Sequence, residues 1–270
     1  MTAPFGRAAV VGATAWGTTL AVHLARNGQP VTLLARSAEE ARALDAARTN
    51  ERRLPGVQFP DGLDVAHGAE ALAGAGLVCF VVPSRTLWEN ACAVAAHVAP
   101  DATVLSAVKG IEPVTGRRMT EVLAEALPGR PLAVLSGPNL SREVAAGLPG
   151  STVIATRDAP VEPLRAAFHS ASLRVYTSDD VVGVEMGGAL KNVVAIAAGM
   201  VDALGFGDNA KAALLTRGLA EMTRLGVAAG ADALTFQGLA GMGDLVASYY
   251  SPLARNRRLG EHDAPGPTLE

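Results

Sequence analysis

The chain has 270 residues, of which 49% are hydrophobic and 18% charged, and its 26 acidic and 23 basic residues give a formal net charge of -3. So apolar a composition excludes an intrinsically disordered protein, and the lack of a basic excess argues against a nucleic-acid partner. Two cysteines are too few for a disulfide framework, which favours a reducing, cytoplasmic environment. Because the histidines and cysteines lack the spacing of a zinc site, we expect no metal.

An uncharged stretch near the N-terminus, residues 8–25, has the length of a secretory signal or a short membrane span. Gly12, Gly17 and His23 are among the residues that interrupt it, so the stretch lacks the continuous apolar core that either segment needs. We therefore expect no stable membrane insertion and a cytoplasmic location.

Short apolar runs alternate with helical stretches through the first two-thirds of the chain. Runs that are apolar throughout are typical of strands buried on both faces of a sheet. The spacing between most of them leaves room for a helix, which predicts right-handed strand–helix–strand units and a mainly parallel sheet. The runs lie at residues 8–11, 31–34, 77–82, 103–105, 132–135, 152–154 and 173–176.

The character of the sequence changes after about residue 179. Residues 184–247 contain no comparable strand-like run, only stretches rich in Ala, Leu and Met with apolar residues at helical spacing. We predict an α/β fold in which a Rossmann-like, dinucleotide-binding domain over 1–178 precedes an all-helical substrate domain over 179–270. Because residues 263–267 have the composition of a loop, an improbable end for a helical domain, we expect this second domain to be truncated.

The turn after the first predicted strand reads G-x-T-x-x-G, from Gly12 to Gly17. In dinucleotide-binding turns the first glycine makes the tight turn, the second lets the backbone approach the pyrophosphate, and the third allows close helix packing. Thr14 occupies the second position, where its side chain either crowds the pyrophosphate or hydrogen-bonds to it. The motif predicts a dinucleotide site at the start of a helix; a structural turn without a ligand is the alternative.

The end of the second predicted strand discriminates between cofactors. It reads Leu34-Ala35-Arg36-Ser37, without the acidic residue that holds the ribose 2′-hydroxyl of NAD. A guanidinium at this place suits the 2′-phosphate of NADP. We predict NADP or NAD as the cofactor, with Arg36 at its ribose; the alternative is a solvated arginine that caps the strand.

Three further patches combine residue types that handle phosphate and protons. Lys109 and the segment 136–139 each follow a predicted strand, and ligands bind at the carboxyl ends of strands in an open parallel sheet. In the third patch, Gly187 and Gly188 precede Lys191 by four and three residues on one face of a predicted helix. We expect these glycines to leave a hollow for a planar ring or a small substrate. A lysine in so apolar a helix is partly desolvated and suits a general acid or base, unless it extends to the surface.

Over nearly its whole length, the sequence resembles the bacterial type of NAD(P)-dependent glycerol-3-phosphate dehydrogenase. The runs 187–199, 207–214, 238–245 and 255–258 are similar to signatures of that family. Shorter motifs fall in the family's order: Trp16-Gly17-Thr18, Leu54-Pro55-Gly56, Val82-Pro83-Ser84, Lys109-Gly110 and Ser136-Gly137-Pro138.

The resemblance implies hydride transfer between a nicotinamide and C2 of dihydroxyacetone phosphate or sn-glycerol 3-phosphate by a homodimer that supplies phospholipid synthesis. It implies that Lys191 is the catalytic acid or base, that Asp244 orients it, and that Lys109 lies near the substrate oxygen. The cofactor-binding residues that it implies are Gly12, Ala15, Trp16, Gly17, Arg36, Lys109, Ser141 and Arg255. The implied substrate-binding residues are Lys109, Gly137, Asn139, Lys191, Asp244 and Ala254, together with Arg255 and Asn256, which would grip the phosphate.

Three positions depart from the family pattern. Thr14 replaces a glycine, Asn139 stands where the family usually has Ser or Thr, and Ala254 where it often has Ser. These departures leave two alternatives open. One is a related dehydrogenase of another phosphorylated hydroxy compound, and the other is a degenerate dinucleotide-binding module without catalytic activity.

Overall fold

The computed structural model describes residues 3–251 and 254–263. One hairpin and one large sheet account for the strands in these residues. The strands are β1 (Ala8–Val11), β2 (Val31–Leu34), β3 (Thr49–Asn50), β4 (Leu54–Gln58), β5 (Leu63–Ala66), β6 (Leu77–Phe80), β7 (Thr103–Ser106), β8 (Leu132–Ser136), β9 (Gly150–Thr156) and β10 (Leu173–Ser178). The large sheet has the order β10-β9-β8-β7-β6-β1-β2-β5, while β3 and β4 form the separate antiparallel hairpin.

Helices cover the sheet, and helices joined by short turns form the described residues beyond β10. Short 3₁₀ turns lie at Ala69–Leu72, Ser84–Thr86 and Ala95–His97, and a π-helical turn spans Leu239–Gly243. The α-helices are α1 (Ala15–Arg26), α2 (Ala38–Ala47), α3 (Leu87–Val94), α4 (Met119–Ala126), α5 (Ser141–Ala145), α6 (Val161–Phe168), α7 (Val181–Ala203), α8 (Gly207–Ala228), α9 (Ala233–Gln237), α10 (Asp244–Tyr250) and α11 (Arg255–Asp263).

The architecture confirms the predicted fold class. All seven predicted strands are present, and every neighbouring pair in the large sheet is parallel except β8 with β9. Beyond Ser178 the described residues contain helices and no strand. Asp263 is the last residue of α11, whereas the rest of the predicted loop, residues 264–267, lies outside the described residues.

The centre of the sheet is buried on both faces, as its sequence indicates. The side chains of β1 are at most 2% exposed, and those of β6 are fully buried. Successive residues of a strand point to opposite faces, so a strand that is apolar throughout contributes to two cores. Leu20 and Leu24 of α1 pack on one face, while Leu87 and Val94 of α3 pack on the other. This packing fixes the carboxyl ends of the strands, where the polar residues gather.

A buried carboxylate joins α7 to the sheet domain. Glu185 accepts hydrogen bonds from the backbone N–H of Thr120 at 2.8 Å, from its hydroxyl at 2.6 Å and from Arg118 Nη1 at 2.8 Å. Burial raises the pKa of Glu185, and these donors oppose that shift. Because a buried charge is stable only when it is fully hydrogen-bonded, the cluster holds α7 firmly against α4.

Among the described helices, α7 alone is long and apolar enough to cross a membrane by length and composition. Its most apolar stretch is 56% buried inside the protein, and the helix carries the buried side chains of Glu185 and Lys191. These features are typical of the core helix of a globular domain.

Candidate active site

The turn between β1 and α1 has the geometry that its glycines predict. Gly12 has a φ of +113°, and a Cβ there would lie 2.8 Å from the carbonyl oxygen of Val81, while one on Gly17 would overlap the carbonyl oxygen of Gly12. Thr14 caps α1: its hydroxyl accepts from the N–H of Gly17 at 3.0 Å and donates to Val81 O at 2.9 Å. The single proton of the Thr14 hydroxyl is therefore donated to Val81 O in this structure.

Polar groups surround the start of α1. The indole Nε1 of Trp16 is buried and has no hydrogen-bond partner within residues 3–251 and 254–263. Asn50 of the hairpin donates to Ala13 O at 3.2 Å, and the Thr19 hydroxyl lies within hydrogen-bond distance of Ala15 O, at 2.9 Å, and of Ser141 O, at 3.1 Å. The first N–H groups of a helix lack intrahelical acceptors and attract anions. This cradle therefore fits a dinucleotide pyrophosphate, with an orphan donor beside it.

A cavity of about 340 Å³ lies where β2 meets α2. Arg36 borders it with a side chain that is 71% exposed and whose Nε lies 3.4 Å from Glu40 Oε2. Arg52, which the sequence analysis did not single out, faces the same cavity from the turn of the hairpin. Two guanidinium groups fit a 2′-phosphate, whereas the two glutamates fit ribose hydroxyls. The lining residues are Arg36, Ser37, Glu39, Glu40, Ala43, Leu44, Asn50 and Arg52.

Two of the three lysines in the chain meet at one buried carboxylate. Asp244, which is 2% exposed, accepts from Lys109 Nζ through Oδ2 at 2.5 Å and from Lys191 Nζ through Oδ1 at 3.0 Å. Lys191 is 9% exposed and also donates to the hydroxyl of Ser248, while Lys109 donates to Gly137 O at 2.8 Å. The partial desolvation expected of Lys191 is confirmed, and the alternative that it extends to the surface is wrong.

The shared carboxylate leaves the lysine pair with a net positive charge in a water-poor site. The pKa of Lys109 is lowered to about 8, mainly because the buried ammonium loses hydration and also because the Lys191 cation lies nearby. The Asp244 carboxylate acts in the opposite direction. A lysine with such a pKa is poised between charged and neutral forms near neutral pH, as acid–base and oxyanion-stabilising groups are.

The hollow expected beside Lys191 is absent, because close packing fills it. A Cβ on Gly187 would lie 2.5 Å from the carbonyl oxygen of Ala240, and one on Gly188 would lie 2.5 Å from Ser136 Oγ. The two glycines thus bring the backbone of α7 against the π-helical turn and the end of β8. Their effect is to place Lys191 deep between the two parts of the chain.

Two hydrogen-bonded amide side chains connect the start of α11 to the helix that carries Lys191. Asn256 donates to Asn192 Oδ1 at 2.8 Å, and Asn192 lies one residue beyond Lys191 on α7. Arg255 is exposed and forms no ion pair within the described part of the chain. Ala254 is 9% exposed, and its carbonyl accepts from the N–H of Arg258 at 3.2 Å. A free guanidinium, an amide and helix N–H groups at one end form an anion-binding arrangement.

The segment after β8 adds Gly137 and Asn139. Gly137 has a φ of +139°, which suits glycine, and its carbonyl accepts from Lys109. The amide of Asn139 forms two hydrogen bonds with β9: it donates to Ser151 O at 3.1 Å and accepts from the hydroxyl of Thr152 at 3.0 Å. One amide proton of Asn139 remains for another partner.

Several groups at the site escaped the sequence analysis. Ser248 follows Asp244 by four residues on α10, so that helical spacing alone places both on one face. Asn192 adjoins Lys191 in the chain, whereas Asn50 and Arg52 come from a hairpin that the analysis did not predict. Local spacing in the sequence could have identified Ser248 and Asn192, but not Asn50 or Arg52.

A nucleotide cradle on a mainly parallel sheet, together with a lysine–carboxylate–lysine cluster that joins this sheet domain to the helical second half, defines a dinucleotide-dependent dehydrogenase. Known proteins specify this class further. The family profiles described as NAD-dependent glycerol-3-phosphate dehydrogenase N-terminus and C-terminus match residues 7–161 and 180–270. The chain belongs to the NAD-dependent glycerol-3-phosphate dehydrogenase family.

Individual relatives agree with this assignment. The chain is 48% identical over 268 residues to the glycerol-3-phosphate dehydrogenase [NAD(P)+] of Streptomyces griseus, covering 98% of this chain and 80% of that protein. The Corynebacterium glutamicum enzyme of the same name is 49% identical over 265 residues, with 97% and 80% covered. The crystal structure of Coxiella burnetii glycerol-3-phosphate dehydrogenase superposes with a TM-score of 0.91 at 39% identity, covering 96% of this chain and 81% of that one.

Proposed function

We propose that this protein catalyses the NAD(P)-dependent interconversion of dihydroxyacetone phosphate and sn-glycerol 3-phosphate. The observation that carries the proposal is the pair of lysines that share one buried carboxylate, in a chain that also holds a cradle for a dinucleotide. Family membership supports the same activity. When bound, the cofactor supplies the hydride for C2 of the ketone.

In the reductive direction, the ketone oxygen becomes an alkoxide and must receive a proton. Lys191 donates that proton, and in the reverse reaction its neutral amine accepts it. Lys109 holds a second positive charge near the same oxygen, which stabilises the developing anion more than the neutral ketone. Asp244 holds both amines in place, and the hydroxyl of Ser248 fixes the direction of the Lys191 ammonium.

The start of α11 provides the substrate's phosphate site in this proposal. Arg255 and Asn256 bind the phosphate, supported by the helix N-terminus and by the bond from Asn256 to Asn192. Gly137, Asn139 and Ala254 line the same space, with Ala254 contributing shape alone. Binding of the phosphate fixes the carbonyl carbon with respect to the lysines.

The cofactor's pyrophosphate binds at Gly12, Ala15 and Gly17, and the orphan N–H of Trp16 lies beside it. Arg36, helped by Arg52, contacts the adenosine ribose or its 2′-phosphate. By the resemblance, Ser141, Lys109 and Arg255 complete the cofactor-binding set.

We also propose the coarser features of the protein that the family resemblance implies. The division into domains falls at residues 178 and 179, between the end of β10 and the start of α7. Large exposed side chains on the helical half, Val193, Phe206 and Tyr250 among them, are compatible with a homodimer. A cytoplasmic location and a supply of glycerol 3-phosphate for phospholipid synthesis complete the proposal.

The test of the proposed activity follows the absorbance of NADPH and of NADH in the presence of dihydroxyacetone phosphate. Consumption of either cofactor that depends on this ketone is the expected result. Turnover with another phosphorylated ketone but not with this one would assign the chain to a related dehydrogenase. Binding of the cofactor without turnover of any ketone would make it a non-catalytic module.

Arg36→Asp should shift the preference of the enzyme from NADPH towards NADH. The substitution removes a cation from the 2′-phosphate and adds a carboxylate that accepts from a ribose hydroxyl. We expect the ratio of kcat/KM for NADPH to that for NADH to fall by about a hundredfold, the scale of a lost charge-assisted contact with added repulsion. Arg42→Asp, an exposed change on the helix that follows Arg36, is the matched control. An unchanged ratio would show that Arg36 does not touch the 2′ position.

The rate of ketone reduction should decline as the pH rises through about 8, the pKa of Lys109. Burial favours the neutral amine, so Lys109 is charged below this pH and neutral above it, where it no longer stabilises the alkoxide. Lys109→Arg should remove this decline, because a guanidinium stays charged. The measurement is kcat/KM for dihydroxyacetone phosphate against pH. The same declining limb in both enzymes would exclude Lys109 as its source.

A further inference from the structure

The third lysine of the chain belongs to a second charged cluster, away from Asp244. Asp202, next to the C-terminal residue of α7, accepts from Arg257 of α11 through Oδ2, at 3.0 Å from Nε and 2.7 Å from Nη2. Its Oδ1 lies 2.5 Å from Lys211 Nζ of α8. The side chains of Asp202 and Arg257 are 16% and 17% exposed, so water screens their interaction weakly. One carboxylate therefore joins three helices.

Other groups complete the surroundings of this carboxylate. Glu261, one turn further along α11, lies 2.8 Å from Arg257 Nη2, and the fully exposed Asp208 lies 3.9 Å from Lys211 Nζ. From α10, the buried phenol of Tyr249 faces the cluster without a hydrogen-bond partner in residues 3–251 and 254–263. Among these groups, only Asp202 has partners on both α11 and α8.

The helices α7 and α11 cross with their backbones in contact. A methyl group on Gly199 would overlap the carbonyl oxygen of Arg257, and one on Gly260 would overlap that of Ile196. Such a crossing brings the axes close but offers few interlocking side chains to resist rotation of α11 about its axis. The paired hydrogen bonds between Arg257 and Asp202 have a fixed direction, so they supply that resistance.

Arg257, the residue that Asp202 holds, adjoins the proposed phosphate site. Arg257 directly follows Arg255 and Asn256 in the first turn of α11. A helix turns as a unit, so the direction of the Arg257 side chain also sets the directions of its two neighbours. The bond from Asn256 to Asn192 then connects this turn to the residue next to Lys191.

We propose that Asp202 is a positioning residue for the substrate's phosphate: by holding Arg257, it sets the rotation of α11 at which Arg255 and Asn256 meet the phosphate. This inference rests on the proposed function. The bonds that hold Lys191, to Asp244 and Ser248, do not involve Asp202. Loss of the Asp202 charge should therefore affect phosphate recognition and leave proton transfer intact.

The experiment compares dihydroxyacetone phosphate with dihydroxyacetone, which lacks the phosphate. Asp202→Asn keeps the shape of the side chain and removes its charge. It should lower the ratio of kcat/KM for the phosphorylated to the unphosphorylated substrate by about tenfold, as expected for a weakened charged contact. Asp202→Glu, which keeps the charge, should restore part of the ratio. Glu162→Gln, which breaks the exposed pair with Arg165, is the matched control and should leave it unchanged.

A double-mutant cycle with Arg255→Ala identifies the route of the effect. If Asp202 acts through the phosphate site, Asp202→Asn should add little to the loss that Arg255→Ala causes. Where turnover of dihydroxyacetone is too slow to measure, competitive inhibition provides the same comparison. The inhibition constant of inorganic phosphate should rise about tenfold in Asp202→Asn, whereas that of dihydroxyacetone should not change.

Three results would overturn the inference: an equal loss for both substrates, an unchanged ratio in Asp202→Asn, or a full additional loss in the double variant. A wild-type enzyme that does not reduce dihydroxyacetone phosphate would instead refute the proposed function. An active wild-type enzyme with an unchanged ratio in Asp202→Asn would refute the positioning role alone.

Discussion

Lys191→Ala should lower kcat for the reduction of dihydroxyacetone phosphate by about a thousandfold, the usual contribution of a positioned general acid. The alkoxide would then take its proton from water, and one of the two cations near it would be gone. Binding of NADPH should survive, because the proposed cofactor contacts at Gly12, Trp16 and Arg36 do not include this amine. Stopped-flow or steady-state rates measure the first effect, and titration calorimetry with NADPH measures the second.

Arg165→Ala, which removes an exposed cation from α6, is the control for Lys191→Ala. It should leave both the rate and the affinity for NADPH unchanged. A Lys191→Ala enzyme whose kcat stays within about threefold of the wild type would show that this lysine is not the proton donor, since a general acid contributes far more than that. The role would then pass to Lys109, the other amine on Asp244.

Asp244→Asn should impair both activity and stability. With an amide in place of the buried carboxylate, the ammonium groups of Lys191 and Lys109 lose their common counter-charge, and breaking a buried ion pair costs about 3–5 kcal/mol in the free energy of unfolding. The remaining repulsion moves Lys109 and Lys191 apart, so that we expect kcat to fall by at least about a hundredfold, as for other misplaced catalytic groups. Denaturant titration and steady-state kinetics give the two values.

The control for Asp244→Asn is Asp45→Asn, which removes an exposed carboxylate paired with Arg48. An exposed ion pair of this kind contributes less than about 1 kcal/mol, so this variant should resemble the wild type. A loss of unfolding free energy in Asp244→Asn no larger than that of the control would mean that the two lysines do not depend on the carboxylate in the folded protein.

Local pattern predicted most of the sheet and the helical half, but not the direction or the pairing of every strand. β9 reads as an apolar run like the others, and nothing in such a run records that it lies antiparallel to β8. The hairpin was missed because β3 has two residues and β4 contains Pro55 and Gly56, which indicate a turn. Because this hairpin was not predicted, Arg52 was not identified as a neighbour of Arg36.

The site shows a similar division between local and long-range information. The burial of Lys191 follows from the apolar helix around it, whereas its pairing with Asp244 joins positions 53 residues apart and came only from the family resemblance. The sequence also misled at Gly187 and Gly188, because a glycine pair indicates a missing side chain without saying what occupies the space. Here the backbone of the π-helical turn and the end of β8 occupy it.

Lys191, Lys109 and the phosphate site at Arg255 should converge on C2 of one small ketone. The most direct test is reduction of dihydroxyacetone phosphate with NADPH in which deuterium replaces both hydrogens at C4 of the nicotinamide, followed by mass spectrometry and NMR of the product. We predict sn-glycerol 3-phosphate with deuterium at C2 alone. Oxidation of the cofactor with the label at another carbon, or without formation of glycerol 3-phosphate, would contradict the account.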